Sequence, residues 1–161
     1  MNLYKAVSLS EIEQCVILYC NQNDNSFLPC SEQSSYENLK REWYSGNFLR
    51  VIKDSGKIRA WILANIVQLD HMHKPILMIR YYCSTFSGLF ACKSIKVTHT
   101  AAIDYAESRR LQFVMTTCNQ FDEKLLYSKI LEKYGWKRRG MMAVWQTSWA
   151  PAKRPATCWQ S

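Results

Sequence analysis

The sequence predicts a single α/β domain built on a mixed, mostly antiparallel sheet with helices on both faces. Three observations lead to this fold class. The length of 161 residues suits one domain. The order of elements is β-α-α-β-β-β-α-β-α-β. A βαβ unit, made of a strand at 76–83, a helix at 95–110 and a strand at 112–117, predicts a central parallel pair, because such crossovers join neighbouring parallel strands.

The first half of the chain predicts two helices followed by an antiparallel meander. Serines begin both helices, since their side chains accept hydrogen bonds from free N–H groups, and Gly46 ends the second. The turn signal at 54–56 predicts a hairpin. The predicted bounds are a strand at 3–7, a helix from Ser8 or Ser10, a loop at 21–35, a helix from Ser34 or Ser35, and strands at 48–53 and 58–67.

After residue 84, the apolar residues no longer alternate as in a strand and instead recur at helical spacing. The helix at 95–110 is predicted from five residues that share one face, Ile95, His99, Ala102, Ile103 and Ala106. A further helix begins at Asp122 or Glu123 and ends at Gly135, and a last strand follows at 141–147. We therefore expect a domain over 1–149 and a basic, proline-containing tail over 150–161.

Composition narrows the classes of partner. The net charge of +8 favours polyanionic neighbours such as nucleic acid, a phosphorylated cofactor or an acidic protein surface. Because the basic residues are dispersed and no aromatic stripe accompanies them, nucleic acid is the least favoured of these. No apolar run approaches the roughly 20 residues that span a bilayer, and the N-terminus lacks a signal-peptide core. We expect an intracellular protein without a membrane contact.

The cysteines and histidines predict neither a disulfide framework nor a metal site. The cysteines number seven, which is odd, and no Cys-x-x-Cys occurs. His71 and His73 offer two ligands in a connection before a proline, whereas a metal site needs three or four. Cys92 and His99 lie seven residues apart without a visible third partner, so a buried thiol and a satisfied core histidine are favoured over a catalytic pair.

Two segments resemble the GNAT superfamily of acetyl-CoA-dependent N-acetyltransferases. Residues 130–140, Ile-Leu-Glu-Lys-Tyr-Gly-Trp-Lys-Arg-Arg-Gly, are similar to the family's closing segment, and residues 101–117 are similar to the helix and strand before it. The match covers residues 76–147, and the first half agrees in element order. The resemblance implies a GNAT-like domain.

The family's cofactor loop has the pattern Arg/Gln-x-x-Gly-x-Gly/Ala, whose glycines let backbone N–H groups approach the CoA pyrophosphate at a helix N-terminus. The corresponding stretch, residues 84–94, has the single glycine Gly88 with Phe86 and Phe90 beside it and lacks the leading Arg or Gln. The resemblance assigns cofactor contacts to Gly88, Leu89, Phe90, Ala91, Cys92 and Lys93. Lys93 and Lys96 flank the start of the helix and favour an anion there.

The family's general acid is a tyrosine in the closing helix. Alignment puts Leu131 at that position, and leucine has no proton to give. Tyr127 lies four residues earlier on the same helix face and is the candidate substitute. The strand at 76–83 carries no carboxylate, so Asp70, followed by His71, is the nearest candidate base.

Two interpretations follow. In the first, which both motif departures favour, the protein is not an enzyme, holds no cofactor and acts as a binding or assembly component. It would resemble the acetyltransferase-like virion proteins of short-tailed phages, and its tail would contact partners through Lys153, Arg154 and Trp159. Phe86, Phe90 or the tail would then fill the cleft between the two parallel strands. In the second, it is a cytoplasmic N-acetyltransferase that uses acetyl-CoA through a divergent loop.

Overall fold

A computed structural model describes residues 1–23, 31–117 and 126–151 of the chain. Its secondary structure follows the predicted order, with one additional strand. The strands are β1 Leu3–Lys5, β2 Phe48–Asp54, β3 Lys57–Val67, β4 Ile76–Ser84, β5 Phe113–Thr117, β6 Lys137–Arg139 and β7 Met142–Gln146. The helices are α1 Leu9–Asn23, α2 Glu32–Tyr44, α3 Gly88–Ser108 and α4 Leu126–Lys133.

The strands form one mixed sheet in the order β1-β2-β3-β4-β5-β7-β6. The pair β4–β5 is parallel, and the other neighbouring pairs are antiparallel. Helix α3 makes the crossover between the two parallel strands. The predicted fold class is confirmed, including the central parallel pair.

Helices cover both faces of the sheet, which is why β3 is buried almost throughout. Successive side chains of a strand point to opposite faces. Trp61 and Leu63 accordingly pack in the cluster that contains residues of α1 and α2, whereas Ile62 and Ala64 pack in the cluster of α3 and α4. Two separate cores therefore hold the sheet between helix layers.

Two helices begin earlier than the sequence predicts. Helix α2 begins after Ser31, whose side chain accepts a hydrogen bond from the Ser34 N–H at 3.3 Å, so the prediction of Ser34 or Ser35 as the cap is wrong by one turn. Helix α3 begins at Gly88 because Ser87 is still extended at φ −124° and ψ 166°. The expected loop at 88–94 therefore forms the first two turns of α3.

The additional strand is β6, which the sequence analysis did not assign. Its residues 137–139 are all exposed and basic, so they lack the apolar alternation that identifies a strand. A turn at Gly140, with φ +59°, returns the chain into β7. The start predicted for α4, at Asp122 or Glu123, lies outside the described residues. Of the helices within the described ranges, none has the length and apolar character needed to cross a membrane.

Candidate functional site

Among the described residues, the parallel pairing of β4 and β5 covers only the first part of β4. Pairing between β4 and β5 runs only from Leu77 to Ile79 on β4, although β4 continues to Ser84. The register between β3 and β4 shifts at this point, leaving Arg80 as an extra bulged residue. In the described part of β5, no residue pairs with β4 beyond Ile79. Residues 80–84, at the end of β4 that leads into α3, therefore have no partner in the described part of β5, and we call this side of β4 the gap.

A hydrogen-bonded cluster from three elements lies beside this gap. The Nδ1 atom of His99 lies 2.9 Å from the Ile95 carbonyl oxygen, which can only accept, so Nδ1 carries the ring proton. The Nε2 atom therefore accepts the hydroxyl proton of Tyr127 at 2.6 Å. Thr116 on β5 lies 3.2 Å from the same hydroxyl oxygen. Helix α3, helix α4 and strand β5 thus converge on the phenol oxygen of Tyr127.

His99 is held in its neutral form. Complete burial disfavours the charged ring and lowers the pKa of His99 from 6.5 to about 4, although its hydrogen bond to the Ile95 carbonyl acts in the opposite direction. The rings of Tyr82 and Trp136 pack edge-on against the imidazole at 5.4 and 5.6 Å. At neutral pH the ring is therefore a hydrogen-bond acceptor toward Tyr127.

Tyr82 connects this cluster to the part of β4 beside the gap. Its ring stacks on the ring of Tyr127 with centroids 5.7 Å apart and planes at 12°. Its hydroxyl lies 2.8 Å from the Ser94 hydroxyl on α3. Burial raises the pKa of Tyr82, so the phenol stays protonated. Two protonated phenols therefore lie on the α3 side of the gap.

The N-terminus of α3 is suited to an anion. Ser87 forms no side-chain cap with any described residue, and the first N–H groups of a helix have no intrahelical acceptor. Gly88 has φ +54°, a conformation that other residues rarely adopt, and a Cβ there would meet no described atom within 4 Å. Leu89 and Phe90 are 80% and 61% exposed, so Phe90 does not fill the gap as the non-catalytic interpretation expected.

Two cations flank this helix end. The Arg59 guanidinium lies 5.4 Å from the ring centroid of Phe86, and its Nε donates to the Thr85 hydroxyl at 2.7 Å. The Lys93 ammonium lies 5.7 Å from the ring centroid of Phe90. The two phenylalanine rings stack at 6.3 Å. Positive charge and free backbone N–H groups therefore occur together where α3 begins.

On the opposite face of the sheet, a cavity of about 260 Å³ lies between α1, α2 and strands β3 and β4. Its lining includes Arg80 and Tyr81, the residues at the β4 bulge. Glu42 of α2 is the carboxylate in the lining, and its Oε2 accepts from the Asn47 and Asn65 side-chain amides, both at 2.6 Å. The cavity therefore holds a positioned carboxylate on the same side of the sheet as the β4 bulge.

The candidate site residues predicted from the sequence lie in different parts of the structure. Tyr127 lies in the cluster beside the gap, and the segment from Gly88 to Lys93 forms the start of α3. Asp70 lies in an exposed turn before β4, at the other end of a nine-residue strand that spans about 26 Å. The structure therefore does not bring Asp70 to the gap. The tail residues Lys153, Arg154 and Trp159 lie outside the described residues.

Sequence reasoning missed Tyr82 and Glu42. Tyr82 belongs to an apolar strand, and Glu42 to a polar helix, so neither carries a local signal. His99 was noticed, because a histidine on an apolar helix face is conspicuous, but its partner Tyr127 lies 28 residues away. Among the described residues, no group of three or more His, Cys, Asp or Glu side chains is arranged to hold a metal ion.

Comparisons with known proteins identify the fold. The sequence matches no protein-family model and no curated protein. Solved structures do match, and each aligns with nearly the whole chain. An N-acetyltransferase from Staphylococcus aureus Mu50 gives a TM-score of 0.73 at 8% identity and covers 91% of this chain and 99% of its own.

Two further structures agree. A GNAT superfamily phosphinothricin acetyltransferase from Sinorhizobium meliloti, solved with AcCoA, gives a TM-score of 0.73 at 12% identity over 98% of this chain and 94% of its own. The aminoglycoside 6'-N-acetyltransferase from Enterococcus faecium gives 0.65 at 13% identity over 96% and 99%. The chain has the GNAT fold. At these identities the likeness establishes the fold and not the activity.

Proposed function

We propose that the protein is an N-acetyltransferase that uses acetyl-CoA. One observation carries this proposal: the part of β4 that has no partner in the described part of β5 leads directly into an uncapped helix N-terminus, in a chain whose fold is that of GNAT acetyltransferases. Of the two interpretations drawn from the sequence, this arrangement supports the catalytic one. The divergent loop is compatible with it, because free N–H groups remain at the start of α3 even though Gly88 is the loop's single glycine.

The residues present fit the phosphate end of the cofactor. The pyrophosphate would lie against the N–H groups of the first turn of α3, where the helix dipole favours negative charge and the sequence places no acid. Arg59 and Lys93 would add charge-assisted contacts. Acetyl-CoA supplies a thioester, whose acyl group passes to an amine while its sulfur leaves as a thiolate.

Glu42 is the proposed proton acceptor. An amine must lose a proton when it becomes an amide, and Glu42 lines the cavity on the α1–α2 face of the sheet, from which the amine would approach. The two amides of Asn47 and Asn65 hold Oε2, so the carboxylate keeps one orientation. Its other oxygen, Oε1, is the atom we assign to receive the proton, directly or through one water.

Tyr127 is the proposed proton donor to the departing thiolate. Its hydroxyl donates to His99 Nε2 before the reaction, so it must turn from His99 toward the thiolate to transfer its proton, and Thr116 lies close enough to hydrogen-bond the phenolate oxygen that remains. His99 acts here as a positioning residue, since it contacts the phenol and not the gap. The neutral ring holds the phenol oxygen in place until the transfer and adds no charge to the site.

Isothermal titration calorimetry with acetyl-CoA tests the proposal. We expect micromolar binding that weakens by about tenfold in an Arg59→Gln, Lys93→Gln double variant and becomes less dependent on salt. Lys57→Gln, an exposed change at the first residue of β3, is the matched control and should bind as the wild type does. Absence of heat at millimolar acetyl-CoA would overturn the proposal. A partner role for the tail stays a prediction.

A further inference from the structure

The cavity between α1, α2 and the sheet carries an unbalanced charge. Arg41 and Arg80 both line it, and Glu42 is the acid in its lining. Within the described ranges, neither arginine forms an ion pair. Arg41 donates to the Asn38 side chain, and Arg80 lies 6.0 Å from the ring centroid of Tyr81. The cavity therefore has a net charge of about +1 and guanidinium groups free to bind an anion.

The β4 bulge explains why Arg80 reaches this cavity. In a regular strand, neighbouring residues point to opposite faces, so Arg80 and Tyr81 would lie on different sides of the sheet. The extra residue at Arg80 breaks this alternation, and both line the same cavity. The bulge, which follows the last described pair with β5, therefore places a cation beside the gap.

The remainder of the cavity is apolar and aromatic. Tyr19, Trp61 and Tyr81 contact one another with ring centroids 5.4 to 6.3 Å apart. The aliphatic lining consists of Val16, Leu39 and Leu63. Trp61 is almost completely buried, and among the described residues its indole N–H has no acceptor. The volume of about 260 Å³ lies at the small end of ligand pockets, which favours a small molecule over a peptide.

We propose that this cavity binds the acetyl acceptor, and that the acceptor is a small apolar amino acid whose carboxylate pairs with Arg80 and Arg41. The inference rests on the proposed acetyltransferase function for the role of the amine, while the binding itself does not depend on it. Guanidinium groups bind carboxylates through two parallel hydrogen bonds, and the apolar wall accommodates the side chain.

The net positive charge of the cavity favours an amino acid over an amine that lacks an anionic group. An amine without an anionic group enters as a cation and meets two arginines against one carboxylate. An amino acid brings its own anion. In its reacting form the amine is neutral, so the molecule carries a charge of −1, which complements the cavity. The Glu42 carboxylate then remains available for the proton of the amine.

The test measures binding without acetyl-CoA, so that it is independent of catalysis. L-leucine and L-phenylalanine are titrated calorimetrically into the full chain, each beside its amide, which lacks only the negative charge. We expect each acid to bind about tenfold more tightly than its amide. Arg80→Gln should remove this preference, and Arg139→Gln on β6, an exposed arginine far from the cavity in the sheet order, should leave it unchanged.

Three results would overturn the inference: equal binding of acid and amide, a preference that survives Arg80→Gln, or no binding of any of the four compounds. Circular dichroism of each variant verifies that it is folded, and Arg80→Lys, which keeps the charge, should retain part of the preference. Failure of this experiment while acetyl-CoA still binds would refute only the acceptor class. Amino-acid binding without acetyl-CoA binding would instead refute the proposed function.

Discussion

Acid should destabilise the protein through His99. The pKa of this ring is about 4 in the folded protein, against 6.5 when it is exposed to water. Between these values the folded state binds fewer protons than the unfolded state, so folding loses free energy as the pH falls. The stabilisation is complete above pH 6.5 and is lost toward pH 4. At 1.36 kcal/mol for each pH unit, the whole effect is on the order of 3 kcal/mol.

Urea unfolding at pH 7.0 and pH 4.5 measures this effect. The free energy of unfolding of the wild type should fall by about 2 kcal/mol more than that of His99→Gln, because the carboxylates contribute equally to both. The control is the double variant His71→Gln, His73→Gln. Both of these histidines are exposed, so this variant should keep the full acid sensitivity.

The double variant also allows the protonation of His99 to be measured directly, because the chain has three histidines and this variant retains only His99. Nuclear magnetic resonance should show a ring that remains neutral at pH 5.5. Titration near pH 6.5 would refute the burial argument, even if the His99→Gln variant does not fold. The same spectra report the tautomer, which should carry its proton on Nδ1.

Three further predictions concern single side chains. Tyr127→Phe leaves the buried His99 Nε2 without its donor, so the free energy of unfolding in urea should fall by about 1–3 kcal/mol. The rate of acetyl transfer should fall at least tenfold, and an unchanged rate would exclude Tyr127 as the proton donor. Leu131→Ala should lower the free energy of unfolding by about 2–5 kcal/mol, because the Leu131 side chain is fully buried. Ile17 is exposed, so Ile17→Ala should lower it by under about 0.5 kcal/mol, and equal losses in the two variants would contradict the burial of Leu131. Ser8→Ala should cost about 1 kcal/mol in thermal unfolding, since Ser8 accepts from the Glu11 N–H at 3.3 Å; an unchanged Tm would exclude the cap.

Local sequence patterns predicted the strands and helices in which the spacing of apolar residues matches the side chains that the fold buries. β3 and β4 were recognised because both faces are covered and their residues are nearly all apolar, and α3 because its inward face repeats at helical spacing. β6 was missed because an exposed basic edge strand is held by hydrogen bonds to β7 and not by its own side chains. The start of α3 was misplaced because Gly88 weakens the helical signal where the helix begins.

The candidate site likewise has features that the sequence predicted and features that it did not. The amino-acid sequence by itself predicted the fold class, the segment at the start of α3 as the candidate anion site, and Tyr127 as a candidate proton donor, because these depend on spacing along single elements and on their order. Tertiary structure alone decided that Tyr127 contacts His99 and Thr116, and that Glu42 and Arg80 line one cavity. The reason is physical: these residues lie 11 to 38 positions apart in the chain, and their proximity depends on a strand bulge and on how helices pack across the sheet, which no periodicity in the chain encodes.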